Sequence, residues 1–164
     1  GIINTLVPEK DIPSHQGPDA QTVDPELDVI TAAVKVPETL SHLHYWNVQL
    51  TRKASNDEVL EAFSQSTRTA FINYADGLTA NNTVKELMLS LNRPYGDMYE
   101  VAIWQDMLKV VDNELFYAYL VDNQAIVIPE TIDAIRALTG IEKKAENSMR
   151  KTNESLGVRR GRFI

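Results

Sequence analysis

The sequence predicts an all-α fold, a single helical-bundle domain of five to seven helices with an extended N-terminal arm and a basic C-terminal arm. Apolar residues recur at spacings of three and four over long stretches, as on a helix face. Short polar residues that favour N-caps precede several of these stretches. A length of 164 residues suits one ordinary core. We place the arm at 1–23, the helical domain at 24–156 and the basic tail at 157–164.

The N-terminal arm is predicted from proline content. Residues 1–23 hold three of the seven prolines and show neither a helical nor an alternating period. Asp24-Pro25-Glu26 then has the pattern of a helix start, with a capping acid and proline at the first helical position. From there the sequence predicts helices at about 24–36, 37–50, 56–78, 83–92, 97–122, 129–140 and 141–155.

Three capping boxes support the helical assignment. In each, a short polar side chain can accept a bond from a free amide while the acid three residues later returns one. The pairs are Ser55 with Glu58, Thr83 with Glu86, and Asp97 with Glu100.

The segment 97–122 is predicted to be the central helix. It carries two apolar stripes, and two stripes on one helix imply contacts on two sides. The first stripe steps by three and four residues and consists of Val101, Trp104, Leu108, Val111, Leu115 and Ala118; the second is Ile103, Met107, Val110, Tyr117 and Val121.

Composition and motifs exclude several kinds of function. The chain has no cysteine, so it offers no disulfide, no thiolate zinc site and no cysteine nucleophile. A nucleophile elbow, a Gly-rich phosphate loop and a zinc-protease motif are also missing from the sequence. The sequence therefore predicts a non-enzymatic protein with no catalytic residues, no metal ligands and no cofactor.

One histidine-rich stretch invites a metal hypothesis. His44-Tyr45-Trp46-Asn47-Val48 resembles the His-Trp-Asn-Val stretch of the ferritin-like mini-ferritins, and Asp57 and Glu61 follow at the i, i+4 spacing. That resemblance implies iron bound by His42, His44, Asp57 and Glu61. Tyr45 separates the His-Trp pair, however, and Asp57 falls in a first helical turn, where acids are favoured anyway. Capping acids and packing histidines are the simpler interpretation, and a ferritin-like metal-binding bundle is the second alternative.

The C-terminal region reverses the charge of the chain. Residues 143–164 hold seven basic and two acidic residues, whereas 1–142 hold nine basic and 21 acidic ones. A cationic tail on an acidic body favours docking on a neighbouring copy of that body. One alternative is a nucleic-acid-binding adaptor that binds phosphates through the arginines, and another is a solvated end that only improves solubility. The predicted partner-binding residues are Arg159, Arg160, Arg162, Phe163 and Ile164.

The functional hypothesis is a structural protein that self-associates or joins other structural proteins through its arms, such as a virion component of a capsid, neck or interior. Virion and cytoplasm are both compatible locations, because the sequence contains no secretory signal and no membrane-spanning run. Gly1 with Thr5 fits a myristoylation pattern, but methionine trimming or cleavage from a precursor is the simpler explanation of an initial glycine, and we do not expect lipidation.

Overall fold

The computed structural model describes residues 3–164. The chain forms two units, Gly1–Thr39 and Leu40–Ile164. Gly1, on which the myristoylation pattern depends, lies outside the described residues.

The described part of the first unit, residues 3–39, contains one helix and one short strand pair. Strand β1 (Val7–Pro8) pairs antiparallel with β2 (Val34–Lys35), and helix α1 (Gln16–Val23) lies between them in sequence. Buried Ser14 accepts a bond from the Thr31 hydroxyl at its carbonyl oxygen, 3.0 Å away, which ties the start of α1 to the segment before β2. Residues 16–23 of the predicted extended arm are therefore helical.

The second unit combines a six-stranded mixed sheet with four helices. In chain order its elements are β3 (Ser41–Gln49), α2 (Asn56–Ser64), β4 (Thr69–Ile72), α3 (Asn81–Ser90), β5 (Val101–Trp104), β6 (Lys109–Val111), β7 (Glu114–Asp122), α4 (Ile128–Thr139), α5 (Ala145–Leu156) and β8 (Gly161–Arg162). Three 3₁₀ turns connect them at Tyr74–Asp76, Pro94–Gly96 and Gln105–Met107.

The sheet has the strand order β3-β7-β5-β4-β8, with β6 also paired to β7. Strand β7 pairs antiparallel with β3, β5 and β6, whereas β4 pairs parallel with β5 and β8. The longest pairing joins all nine residues of β3 to β7, from Ser41 opposite Asp122 to Gln49 opposite Glu114.

The main core lies between one face of this sheet and α3. Small residues of the central strands, such as Ala102 and Ala118, are fully buried beneath Val84 and Met88 of α3. The Trp104 indole N–H donates a 2.7 Å bond to the Leu78 carbonyl oxygen, so the large ring is buried without an unpaired polar atom.

A second, smaller cluster lies on the opposite face of the sheet. Val59 of α2 packs with Leu108 and Leu115, and Phe63 and Tyr117 border this cluster. Helix α2 therefore covers one end of that face.

The prediction of an all-α helical bundle is wrong. Residues 24–36 contain no helix, 37–50 contain β3, and the second half of 56–78 contains β4. The predicted central helix at 97–122 is three strands, β5, β6 and β7. Neither apolar stripe corresponds to one face of the sheet: Trp104 and Ala118 belong to the main core, whereas Leu108 and Leu115 of the same stripe belong to the smaller cluster on the opposite face. Both faces of β7 pack against other elements, so apolar residues occur on both.

Several local predictions are confirmed. The Ser55–Glu58 capping box starts α2, with both reciprocal bonds formed. Helices α3, α4 and α5 fall close to the predicted segments 83–92, 129–140 and 141–155. The other two boxes do not form as predicted: α3 starts earlier, at Asn81, and the segment after Asp97 leads into β5.

Within residues 3–164, no helix combines the length and apolar character needed to cross a bilayer.

A buried ion pair joins the C-terminal segment to the body of the second unit. The Arg93 guanidinium makes two 2.6 Å bonds to the Glu100 carboxylate, and Glu100 is completely buried. Arg93 also donates to the Gly157 carbonyl oxygen at 2.9 Å, and the Arg159 backbone N–H donates to Glu100 at 2.5 Å. The guanidinium lies 5.6 Å from the centre of the Phe163 ring.

Removing one member of this pair should strongly destabilise the protein. We expect Glu100→Ala to lower the free energy of unfolding by about 3–5 kcal/mol, because it leaves a buried guanidinium without a counter-charge. Urea unfolding of the chain measures this change. Glu154→Ala is the matched control: it breaks the exposed Arg150–Glu154 pair and should cost no more than about 1 kcal/mol. Equal effects of the two substitutions would contradict the assignment.

A second polar cluster joins α4 to α5. Asp133 accepts 2.6 Å bonds from the Ser148 and Thr152 hydroxyls and a 2.5 Å bond from Arg68. Burial alone would raise the Asp133 pKa, but the hydroxyl bonds and the Arg68 charge outweigh burial and hold the pKa below its usual value of 3.8.

Acid should weaken the polar cluster between α4 and α5, because protonation of Asp133 removes its charge. The folded-state pKa of Asp133 is lower than its unfolded-state pKa of about 4. The Asp133 carboxylate therefore makes its full contribution to folding stability above the unfolded pKa, and that stability is lost as the pH falls through the folded pKa. We therefore expect Asp133→Asn to destabilise the protein at pH 7 and to flatten the fall in stability below pH 4, measured as urea midpoints. The exposed Asp28→Asn control should leave both quantities unchanged, and a parallel acid profile for Asp133→Asn would refute the role.

Candidate active site

Two histidines lie on one face of β3. His42 stands opposite Val121 of β7 and His44 stands opposite Tyr119. Because side chains alternate along a strand and directly opposed residues share a face, His42, His44 and Tyr119 project from the same side of the sheet. This is the face whose far end is covered by α2.

The rings on this face form a continuous row, which we call the aromatic row: His44, Trp46, Tyr117, Tyr119 and Phe63. His44 and Tyr119 stack with ring centres 4.7 Å apart and planes 10° apart. Tyr119 also lies 6.5 Å from Trp46 and 6.0 Å from Tyr117, measured between ring centres. Offset and tilted arrangements at these distances are attractive.

Helix α2 anchors the inner end of the row. The Phe63 ring lies 5.2 Å from Tyr117. The position of α2 is fixed by its capping box and by Asn56, whose side-chain oxygen accepts a 2.8 Å bond from the Val110 backbone N–H. The inner rings are therefore held by packing, while the histidines lie at the open end.

The two histidines differ in exposure. His44 is half-buried against Tyr119, whereas His42 is exposed. Their ring centres are 6.1 Å apart and their planes are nearly perpendicular, at 84°. A ligand that approaches this face from solvent can reach the His42 imidazole.

Burial controls the protonation of this face. It lowers the His44 pKa below 6.5, and the nearby His42 lowers it further, so His44 is neutral at pH 7. Burial raises the pKa of Tyr119 and, with the Tyr119 charge as a smaller cause, raises the pKa of Tyr117 to about 12. Tyr117 and Tyr119 are therefore neutral near pH 7.

The predicted iron ligands do not form a metal centre. His42 and His44 lie on a strand, while Asp57 and Glu61 lie on α2. Across residues 3–164, no three His, Asp or Glu side chains are grouped so that they could hold a metal ion. The hypothesis of a ferritin-like bundle is wrong, because the fold is a mixed sheet with helices.

The C-terminal residues predicted to bind a partner make contacts within their own chain. Phe163 is 3% exposed and belongs to the main core, and β8 adds an edge strand beside β4. Arg160 donates a 2.7 Å bond to the Ser64 carbonyl oxygen, and Arg162 donates a 3.3 Å bond to the Gln105 side chain. Ile164 is exposed. Partner binding by this tail stays a prediction.

The sequence did contain a signal for the histidine face. His42, His44, Trp46 and Val48 occupy alternate positions, the period of a strand face. The intervening Leu43 and Tyr45 are also apolar, so no simple alternation of apolar and polar residues marked the strand.

Comparison with known proteins identifies the family. Residues 1–107 match the family model described as glyceraldehyde 3-phosphate dehydrogenase, C-terminal domain. The chain is 41% identical over 159 residues to the glyceraldehyde-3-phosphate dehydrogenase of Methanopyrus kandleri, covering 96% of the chain and 45% of the relative. For the enzyme of the same name from Archaeoglobus fulgidus the identity is 42%, over 96% of the chain and 46% of the relative. The chain thus spans about half the length of the curated relatives it matches.

These matches overturn the functional hypothesis made from the sequence. The prediction of a non-enzymatic virion protein is wrong, since the matched family and the relatives are enzymes rather than structural components of a particle. The alternative function of a nucleic-acid-binding adaptor is also wrong, because the matched relatives are enzymes. The match of the family model over 107 of the 164 residues shows the family: the chain belongs to the glyceraldehyde-3-phosphate dehydrogenase family, as its C-terminal domain.

Proposed function

We propose that this chain supplies the proton-accepting histidine of a glyceraldehyde-3-phosphate dehydrogenase. The observation that carries the proposal is the exposed His42 at the open end of the aromatic row, in a chain of this family. The relatives' names supply the substrate, glyceraldehyde 3-phosphate.

The chemistry requires a base. When a nucleophile has added to the aldehyde carbon, the carbon carries a hydroxyl group and a hydrogen. Oxidation removes that hydrogen with its electron pair, the carbonyl bond re-forms, and the hydroxyl proton must leave. A positioned imidazole contributes about 10²–10⁴-fold to such a proton transfer.

His42 fits this role better than its neighbour. Its imidazole is exposed and can reach a substrate hydroxyl, whereas one face of the His44 ring is covered by Tyr119. The third histidine, His15, is also exposed, but it is not a member of the aromatic row. We therefore assign proton acceptance to His42.

A dehydrogenase also needs a hydride acceptor, which in many such enzymes is a nicotinamide dinucleotide. The residues of this chain do not fit that group by the usual fingerprint. The seven glycines include no Gly-x-Gly-x-x-Gly sequence, and the loop between β4 and α3 holds a single glycine, Gly77. We assign no step to a dinucleotide bound by these residues.

Replacing His42 tests the proposal. In the full natural polypeptide that carries these residues, we expect His42→Asn to lower kcat for glyceraldehyde 3-phosphate oxidation by about 10²–10⁴-fold, because asparagine cannot accept the proton. Reduction of added nicotinamide dinucleotide, followed by absorbance, measures the rate. Asp112→Asn, in the turn between β6 and β7, is the control and should keep the rate of the unsubstituted protein. No oxidation of this substrate by the unsubstituted polypeptide, or a His42→Asn rate within about threefold of it, would reject the proposal.

A further inference from the structure

We infer that Tyr119 and His44 are positioning residues for His42: the Tyr119 ring fixes the plane of His44, and His44 in turn fixes the plane of His42. The inference rests on the proposed function, because it matters only if His42 accepts the proton.

The contact between His44 and Tyr119 is set by the sheet itself. The two residues are directly opposite each other in the β3–β7 pairing, and their rings lie almost parallel, 10° apart at 4.7 Å. Cross-strand pairs of this kind contribute to sheet stability and restrict side-chain rotation. The backbone thus delivers His44 to the Tyr119 ring.

The contact between the two histidines is edge-to-face. The His42 ring stands at 84° to that of His44, with the centres 6.1 Å apart. Because His42 is exposed, it has less packing around it than His44. A rotation of the His44 ring would remove the flat surface beside which His42 is oriented.

The rest of the aromatic row prevents Tyr119 from moving away. The Trp46 ring lies 6.5 Å from the Tyr119 ring and 18° from parallel to it. On the same strand, Tyr117 lies 6.0 Å from Tyr119, and Phe63 of α2 packs against Tyr117. The orientation of His42 is therefore supported through three rings back to a helix.

The charge of His44 also suits this role. Burial and the neighbouring His42 both lower the His44 pKa, so His44 remains neutral when His42 gains a proton. Tyr117 and Tyr119, the titratable groups of the row on β7, are neutral as well. A protonated His42 thus meets no positive charge from the row.

Tyr119 variants in the full natural polypeptide test the inference. Tyr119→Phe keeps the ring and should leave kcat within about twofold, while Tyr119→Leu removes the ring and should lower kcat about tenfold with KM unchanged, since small misplacements of a catalytic group cost this much or more. The leucine substitution should have no further effect in a His42→Asn background, because the tyrosine acts through that histidine.

An NMR measurement checks the geometry independently of activity. The chain has only three histidines, so each imidazole C–H signal can be assigned. We expect the His44 ring signals to show the upfield shift caused by a stacked aromatic ring in the unsubstituted chain and in Tyr119→Phe. In Tyr119→Leu that shift should disappear. If Tyr119→Leu does not fold, two His44 variants take its place. We expect His44→Phe, which keeps a flat ring, to preserve kcat, and His44→Ala, which removes the ring, to lower it.

The outcomes separate the inference from the proposed function. If His42→Asn is inactive but a folded Tyr119→Leu is fully active, the inference is overturned and the proposed function stands. An additional loss from Tyr119→Leu in the His42→Asn background would show a general structural role and would also overturn the inference. If His42→Asn is as active as the unsubstituted protein, the proposed function itself fails.

Discussion

The nine-residue antiparallel pairing of β3 with β7 is the constraint on which the rest of the second unit depends. It joins segments about 70 residues apart and places β7 in the middle of the sheet, where β5 and β6 also pair with it. The same pairing sets His44 opposite Tyr119 and leaves His42 at the open end of the row. A slip of one residue would turn every one of these side chains to the other face. The sheet register and the candidate active site are therefore one structural feature.

The local part of the fold could be predicted from the sequence, whereas the sheet could not. Helices α3, α4 and α5 and the capping box of α2 are encoded by neighbouring residues, and capping and periodicity find them. Strand β3 depends on a partner far along the chain. Both of its faces mix apolar and polar side chains, so neither face stands out. In 97–122 the aromatic and branched residues of β7 favour a strand, but burial on both faces produced the two stripes typical of a central helix. Pairing with distant strands makes β3 and the strands within 97–122 extended rather than helical.

The site shows the same division. His42 and His44 form a cluster beside Trp46 that can be read from the sequence alone. Their chemical meaning depended on Tyr119, which the sheet brings beside them and which no local pattern connects to them. The basic tail differs from the histidine cluster, because its contacts within the chain could not be read from its charge. Its charge suggested an external partner, yet Phe163 fills the chain's own core and the backbone of Arg159 binds the buried Glu100. A charge pattern indicates that a segment needs partners and does not say where they lie.

The most direct test of this account is the set of nuclear Overhauser contacts made by the two histidine rings. The β3–β7 register requires contacts from the His44 ring to the Tyr119 ring and from the His42 ring to the Val121 side chain. With only three histidines in the chain, these contacts can be assigned without ambiguity. Contacts of His44 with Ala118 or Leu120 in place of Tyr119 would mean a slipped register. That result would contradict both the sheet and the candidate active site built on it.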